Sequence, residues 1–163
     1  MANLVEVSAG GVLGSASWLP VAEAYSAADT ISTAQPIQFA FANGVYAPAG
    51  STIRILTASL KIDATAVISG ETSYTLHLYT VTPPSAQANN AAWTLASADL
   101  PSYAGSIALG APVDLGAALY VKTGGINLDV KLASDTLWGV LVTVGAFTAA
   151  AVARQVRLHG IVL

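Results

Sequence analysis

The chain has no cysteine, one methionine and two histidines among 163 residues. Without cysteine there can be neither a disulfide framework nor a thiolate metal site, so stability must come from packing. The histidines, His77 and His159, form neither an H-x-H nor an H-E-x-x-H pairing, the spacings that bring two imidazoles to one zinc ion. Charge is scarce as well. Asp, Glu, Lys and Arg make up 9% of the residues, against about 25% in an ordinary soluble domain. The six basic residues are scattered along the chain, only Arg154 and Arg157 lie close together, and the net charge is -3. Nucleic-acid binding needs clustered Lys and Arg, so no nucleic-acid partner is expected.

Motifs that carry chemistry are missing too. Gly10-Gly11 and Gly124-Gly125 lack the following Lys and helix of a phosphate-cradling loop. No D-x-D-x-D-G run offers converging oxygens to calcium. The aspartates Asp29, Asp63, Asp99, Asp114, Asp129 and Asp135 fall mostly at predicted strand ends or loops, where Asp caps turns. No G-x-S-x-G nucleophile elbow occurs. We therefore assign no catalytic residue, no metal ligand and no cofactor from the sequence, and expect no enzyme. The start, Met1 to Glu6, has no basic stretch followed by an apolar one, so no secretory signal is expected there.

What is present is apolar: 54% of the residues are hydrophobic. With so few charges, much of the outside must be Ala, Ser, Thr, Gly and aliphatic side chains. Large apolar patches on a surface mark binding sites, so the chain is expected to sit against other protein. Its length suits one domain with one sizeable core. The uncharged run from Thr136 to Ala153 reaches the lower length limit of a spanning helix, about 18 residues. Its first half is rich in β-branched residues and Gly145 interrupts it, which predicts a buried strand and a loop, and no membrane partner.

From Gln35 onward, strands and turns alternate. Ile37, Phe39 and Phe41 share one face, and Asn43-Gly44 and Pro48-Ala49-Gly50 signal turns. Leu56, Ala58, Leu60 and Ile62 share a face that begins near Arg54. Tyr74, Leu76 and Leu78 alternate with Thr75, His77 and Tyr79 until Pro83-Pro84. A short strand over Ala117–Lys122 is predicted to turn at Gly124-Gly125 into the best amphipathic strand, in which Ile126, Leu128, Val130 and Leu132 face the core. Thr136–Val144 is apolar on both faces, and Val156, Leu158 and Val162 alternate up to the end at Leu163. Helix is scarce, with one turn expected over Trp93–Leu100. About eight strands with uneven loops predict an all-β fold, an antiparallel β-sandwich of jelly-roll type, with a closed up-and-down barrel as the alternative.

Residues 1–24 differ in texture. Ala9 to Ser17 is small and flexible in composition, and Trp18-Leu19-Pro20 ends it. Two readings stand: a loose terminus with a short strand, or an arm that orders against a neighbouring subunit. In the second, Trp18 is the anchor and Leu4, Val5, Val12 and Leu13 are further contacts. Residues 25–163 form the sandwich in either case. The tyrosines and tryptophans, with Asn89-Asn90 beside Trp93, also allow a carbohydrate groove, although such side chains more often fill core and interface positions.

Five blocks carry a family likeness. They are Tyr25-Ser26-Ala27-Ala28-Asp29-Thr30-Ile31; Ser51-Thr52-Ile53 leading to Leu60-Lys61-Ile62-Asp63; Tyr74 to Tyr79 with the Pro83-Pro84 loop; Trp93 to Leu100 through Tyr103-Ala104-Gly105; and Leu137 to Val142. In this order they resemble the jelly-roll proteins of tailed bacteriophages that decorate or cement the capsid exterior. The likeness spans roughly Tyr25 to Leu163 and leaves out the N-terminal arm. It implies a virion structural protein on the outside of the phage head, bound to the major capsid protein. It further implies a homo-oligomer, dimer or trimer, without catalytic residues or cofactors. A tail fibre, baseplate or head fibre component is the alternative within the same class.

Overall fold

The described residues form eleven strands, most of the eight longer ones patterned with period two. They are β1 Gly11–Trp18, β2 Ala24–Tyr25, β3 Thr30–Phe41, β4 Thr52–Ile62, β5 Tyr74–Tyr79, β6 Tyr103–Leu109, β7 Val113–Asp114, β8 Leu119–Lys131, β9 Thr136–Thr143, β10 Phe147–Thr148 and β11 Arg154–Val162. The computed structural model describes residues 10–85 and 87–163. Among these, residues 93–96 are irregular and not the helical turn expected over Trp93–Leu100; a single 3-10 turn falls later, at Leu100–Ser102, with Pro101 in its first positions. No helix among them is long and apolar enough to cross a membrane.

Hydrogen bonding runs β6-β5-β9-β3-β1-β11-β4-β8-β7 through one curled antiparallel sheet, with β2 and β10 paired separately. When the eight long strands are numbered in chain order, the two halves read 1-8-3-6 (β1-β11-β4-β8) and 2-7-4-5 (β3-β9-β5-β6). That is the jelly-roll order, in which strands from the two ends of the chain alternate within each sheet. The halves join along the β1–β3 pairing and close over the core at the far edge. There a Cβ added to Gly105 would lie 3.3 Å from Leu128 Cδ1.

The inward faces form one core, with Trp18, Phe39, Ile53, Ile55, Leu60, Leu76, Leu141 and Leu158 all fully buried. One face assignment changes along β4. Leu56 is an extra residue that bulges between Ile55 and Thr57, opposite both β8 and β11. The bulge lets Ile53 and Ile55 point inward before it and Ala58, Leu60 and Ile62 after it. A strict alternation carried back from Ile62 had placed Leu56 in the core.

Gly124-Gly125 is not a hairpin. β8 runs unbroken through it from Leu119 to Lys131, and the pairing jumps from Leu128↔Ile55 to Gly124↔Thr57. Positive φ at Gly125 (70°) and Asn127 (51°) accommodates the extra residues.

The boundary drawn at residue 25 also needs correction. β1 is a central strand, paired with β11 along its whole length and with β3 from Val12 to Ser15. Val12, Gly14 and Trp18 alternate inward on it. On the inward side the core sets the size: a Cβ at Gly14 would meet Ile37 Cγ2 at 2.8 Å, while Ser15 and Ser17 face outward. Trp18 is wholly buried and Val12 nearly so, which removes both as contacts to a neighbouring subunit.

Candidate interaction surface

The two outer faces of the sandwich are treated differently. Across the outside of β3-β9-β5-β6 lies the loop that leaves Tyr79 and returns at Leu100. Backbone bonds from Thr30 N to Ala91 O (2.9 Å) and from Trp93 N to Ala28 O (2.8 Å) fasten its middle. Trp93 then lies flat on His77, with ring centroids 3.6 Å apart and planes inclined by 16°. Its indole N–H donates to the Tyr79 hydroxyl at 3.2 Å, and His77 Nδ1 lies 3.0 Å from the Tyr103 hydroxyl. Leu95, Ala34 and Trp138 complete a second small core over Tyr79, Val140 and Val142. This explains why β9 is apolar on both faces.

Alternation alone put His77 on a polar face, but the loop covers it. Burial pushes its pKa down to about 4, so the ring is neutral near pH 7. Burial likewise raises the Tyr79 hydroxyl above its ordinary value.

Asn89 holds the other end of the loop. Its Oδ1 accepts from the Tyr25 hydroxyl (2.8 Å) and from Ser32 N (2.7 Å), and its Nδ2 donates to Glu23 Oε1 (3.1 Å). Asn90 Nδ2 donates to Ala24 O at 3.1 Å. The two amides that made a sugar groove conceivable beside Trp93 are thus engaged in fixing the loop. Asp99, fully buried, accepts from Ser85 N at 2.8 Å and does the same near the loop's end.

The outside of β1-β11-β4-β8 has no such cover among the described residues. Cross-strand partners share a face in an antiparallel sheet, so its rows can be read from the register. One row runs Ala40, Leu13, His159, Thr57, Gly124; the next runs Gln38, Ser15, Arg157, Ser59, Lys122. At the β1–β3 end the face sinks into a shallow groove of about 740 Å³ lined by Leu13, Ser15, Gln38, Ala40, Tyr46 and His159. Leu13 is 39% exposed and Tyr46 51%. Of the contacts predicted in the N-terminal segment, Leu13 alone is placed outward here. Leu4 and Val5 lie outside the described residues.

Interior polar groups serve the fold. Arg154 and Glu71 are a buried ion pair at 2.8 Å, with side chains 0% and 1% exposed. The Tyr74 hydroxyl donates to the same Glu71 oxygen, and its ionisation is pushed upward mainly by burial. Arg154 Nη1 donates to the carbonyls of Ala150 (3.0 Å) and Val152 (2.6 Å), and its guanidinium lies over Phe147. The cluster pins the 63–73 and 144–153 loops to β11. Sequence spacing gave no hint of it, since Glu71 and Arg154 are far apart in the chain. Among the described residues no three His, Asp or Glu side chains lie close enough to hold a metal ion. The sequence matches no protein-family model and no curated protein.

Proposed function

We propose that this chain is a virion structural protein, a capsid decoration protein that binds the outer surface of a phage head through the major capsid protein and stabilises the shell. The observation that carries this reading is the outer face of β1-β11-β4-β8, uncovered among the described residues, on a jelly roll that is only 9% charged. Apolar and neutral polar side chains at the β1–β3 end, Leu13, Ser15, Gln38 and Ala40 among them, form a rigid sheet surface with little charge to desolvate. The five blocks that resemble phage cement proteins support the same assignment.

Such a protein acts by occupancy, not by turnover. Copies joined in a dimer or trimer engage several capsid sites at once, and the effective concentration of the second contact tightens a weak one. Electron microscopy of the virus particle that encodes the chain tests the reading. We expect density for this jelly roll on the outside of the shell, and a solution mass of two or three chains for the purified protein. A shell bare of it overturns the assignment.

A further inference from the structure

The chain has six Lys and Arg residues, far apart in sequence. Folding gathers five of them on one surface. Arg157 on β11 and Lys122 on β8 flank Ser59 of β4 in a single cross-strand row. Lys61 lies opposite Tyr120 and Gln155 in the next row, Arg54 opposite Asp129, and Lys131 opposite Thr52. All five are thus on the outer face of β11-β4-β8, and the sixth, Arg154, is the buried one. With strands about 4.8 Å apart and residues about 3.3 Å along each strand, the five occupy an area of about 10 by 30 Å. Arg157, Lys122 and Lys61 lie within about 10 Å of one another, close to the length of about 8 Å over which salt screens, while Arg54 and Lys131 stand at the far end of the area.

Two carboxylates share the area: Asp129, paired with Arg54 at 2.6 Å, and Asp63, paired with Lys61 at 2.7 Å. Five cations against two anions leave a local surplus of three positive charges on a chain whose net charge is -3. Two further carboxylates of the described residues are engaged outside this area. Asp135 accepts from Gln38 at the opposite edge of the uncovered face, and Asp114 is used by the turn at Gly116.

We propose that the outer face of β11-β4-β8 is a docking surface for an acidic patch on a partner protein. On the function proposed above, on which this step rests, that patch belongs to the capsid protein. The occupant follows from the charge pattern. A polyphosphate backbone presents closely and evenly spaced charges, a spacing that the ion-paired Asp129 and Asp63 interrupt. A protein surface that spaces carboxylates between neutral polar groups meets Arg157, Lys122 and Lys131 and offers the part-exposed Thr57 a polar partner. The apolar groove at Leu13 adjoins the same rows and supplies the uncharged part of the contact.

The double variant Arg157→Glu/Lys122→Glu tests this, since both side chains are exposed and thermal unfolding checks that the fold is kept. Shells of the encoding virus stripped of the chain, a Ser-spaced poly-Glu peptide and a 20-base-pair DNA duplex are the probes. The expected result is shell binding that weakens with salt and falls about tenfold or more in the double variant. Shell binding unchanged by the double variant overturns the docking face and leaves the decoration role standing. If the wild-type chain fails to bind shells, the decoration role falls and the peptide decides the face. Peptide binding lost in the double variant then upholds an acidic protein partner. No peptide binding, or DNA bound as tightly as the peptide, overturns it.

Discussion

Trp18 of β1 fills the space that Gly139 of β9 leaves in the other half of the sandwich. A Cβ on residue 139 would lie 2.9 Å from the indole Cζ2, 3.0 Å from Ile37 Cδ1 and 3.1 Å from Leu76 Cδ1. Gly139→Ala should therefore destabilise by overpacking, at a cost of about 1–3 kcal/mol. Trp18→Phe in the Gly139→Ala background should cost less than the two single changes summed, because the smaller ring frees the same space. Denaturant unfolding of the four proteins measures the coupling, and strict additivity would show that the two positions do not compete.

The stack of Trp93 on His77 makes stability depend on acid. The folded state holds His77 near pKa 4, while an unfolded chain titrates near 6.5. The stabilising preference for neutral imidazole is complete above about pH 6.5 and is lost as pH falls toward 4. After allowance for solvent screening it amounts to about 1–2 kcal/mol. His77→Gln removes this contribution, so the stability difference between wild type and variant should shrink across that window. A difference that stays flat from pH 7 to pH 4 would mean that the ring is not protected by the loop.

Arg154 and Glu71 should be costly to separate. Arg154→Met leaves a carboxylate buried without its partner and should cost about 3–5 kcal/mol. Adding Glu71→Gln to that variant should recover part of the loss, since the stranded charge is removed. Urea titration reads both changes, and a double variant no better than Arg154→Met would show that the carbonyl contacts of Arg154 dominate.

Two leucines that share an apolar sequence pattern should respond differently. Leu158 is fully buried on β11, and its change to Ala should cost about 2–5 kcal/mol. Leu128 is only half-buried beside the β8 bulge, so Leu128→Ala should cost clearly less. Equal losses in thermal unfolding would mean that the gap between β6 and β8 is tighter than Gly105 and Leu128 indicate.

Patterning that repeats every second residue was readable without coordinates, because one face of each strand must be dry. The all-β class, the buried β9 and the inward set on β11 follow from it. The reading failed where an extra residue changes parity, at Leu56 and at Gly124 to Asn127. A bulge is a relation between two strands, and it leaves no period in either one. It failed at β1 for a different reason. Its run of small residues reads as loose, whereas Ile37 and Phe39 of the adjacent strand require Gly14 to be small.

Composition and period-two patterning together determined that this is a β protein with little charge and no cysteine for a disulfide. Only the tertiary structure decided which outer face is roofed by the loop around Trp93 and which is left open. It also decided that dispersed cations meet on one side. The reason is that a jelly roll interleaves the two ends of its chain, so residues as distant as Ser59, Lys122 and Arg157 become neighbours only through cross-strand hydrogen bonding.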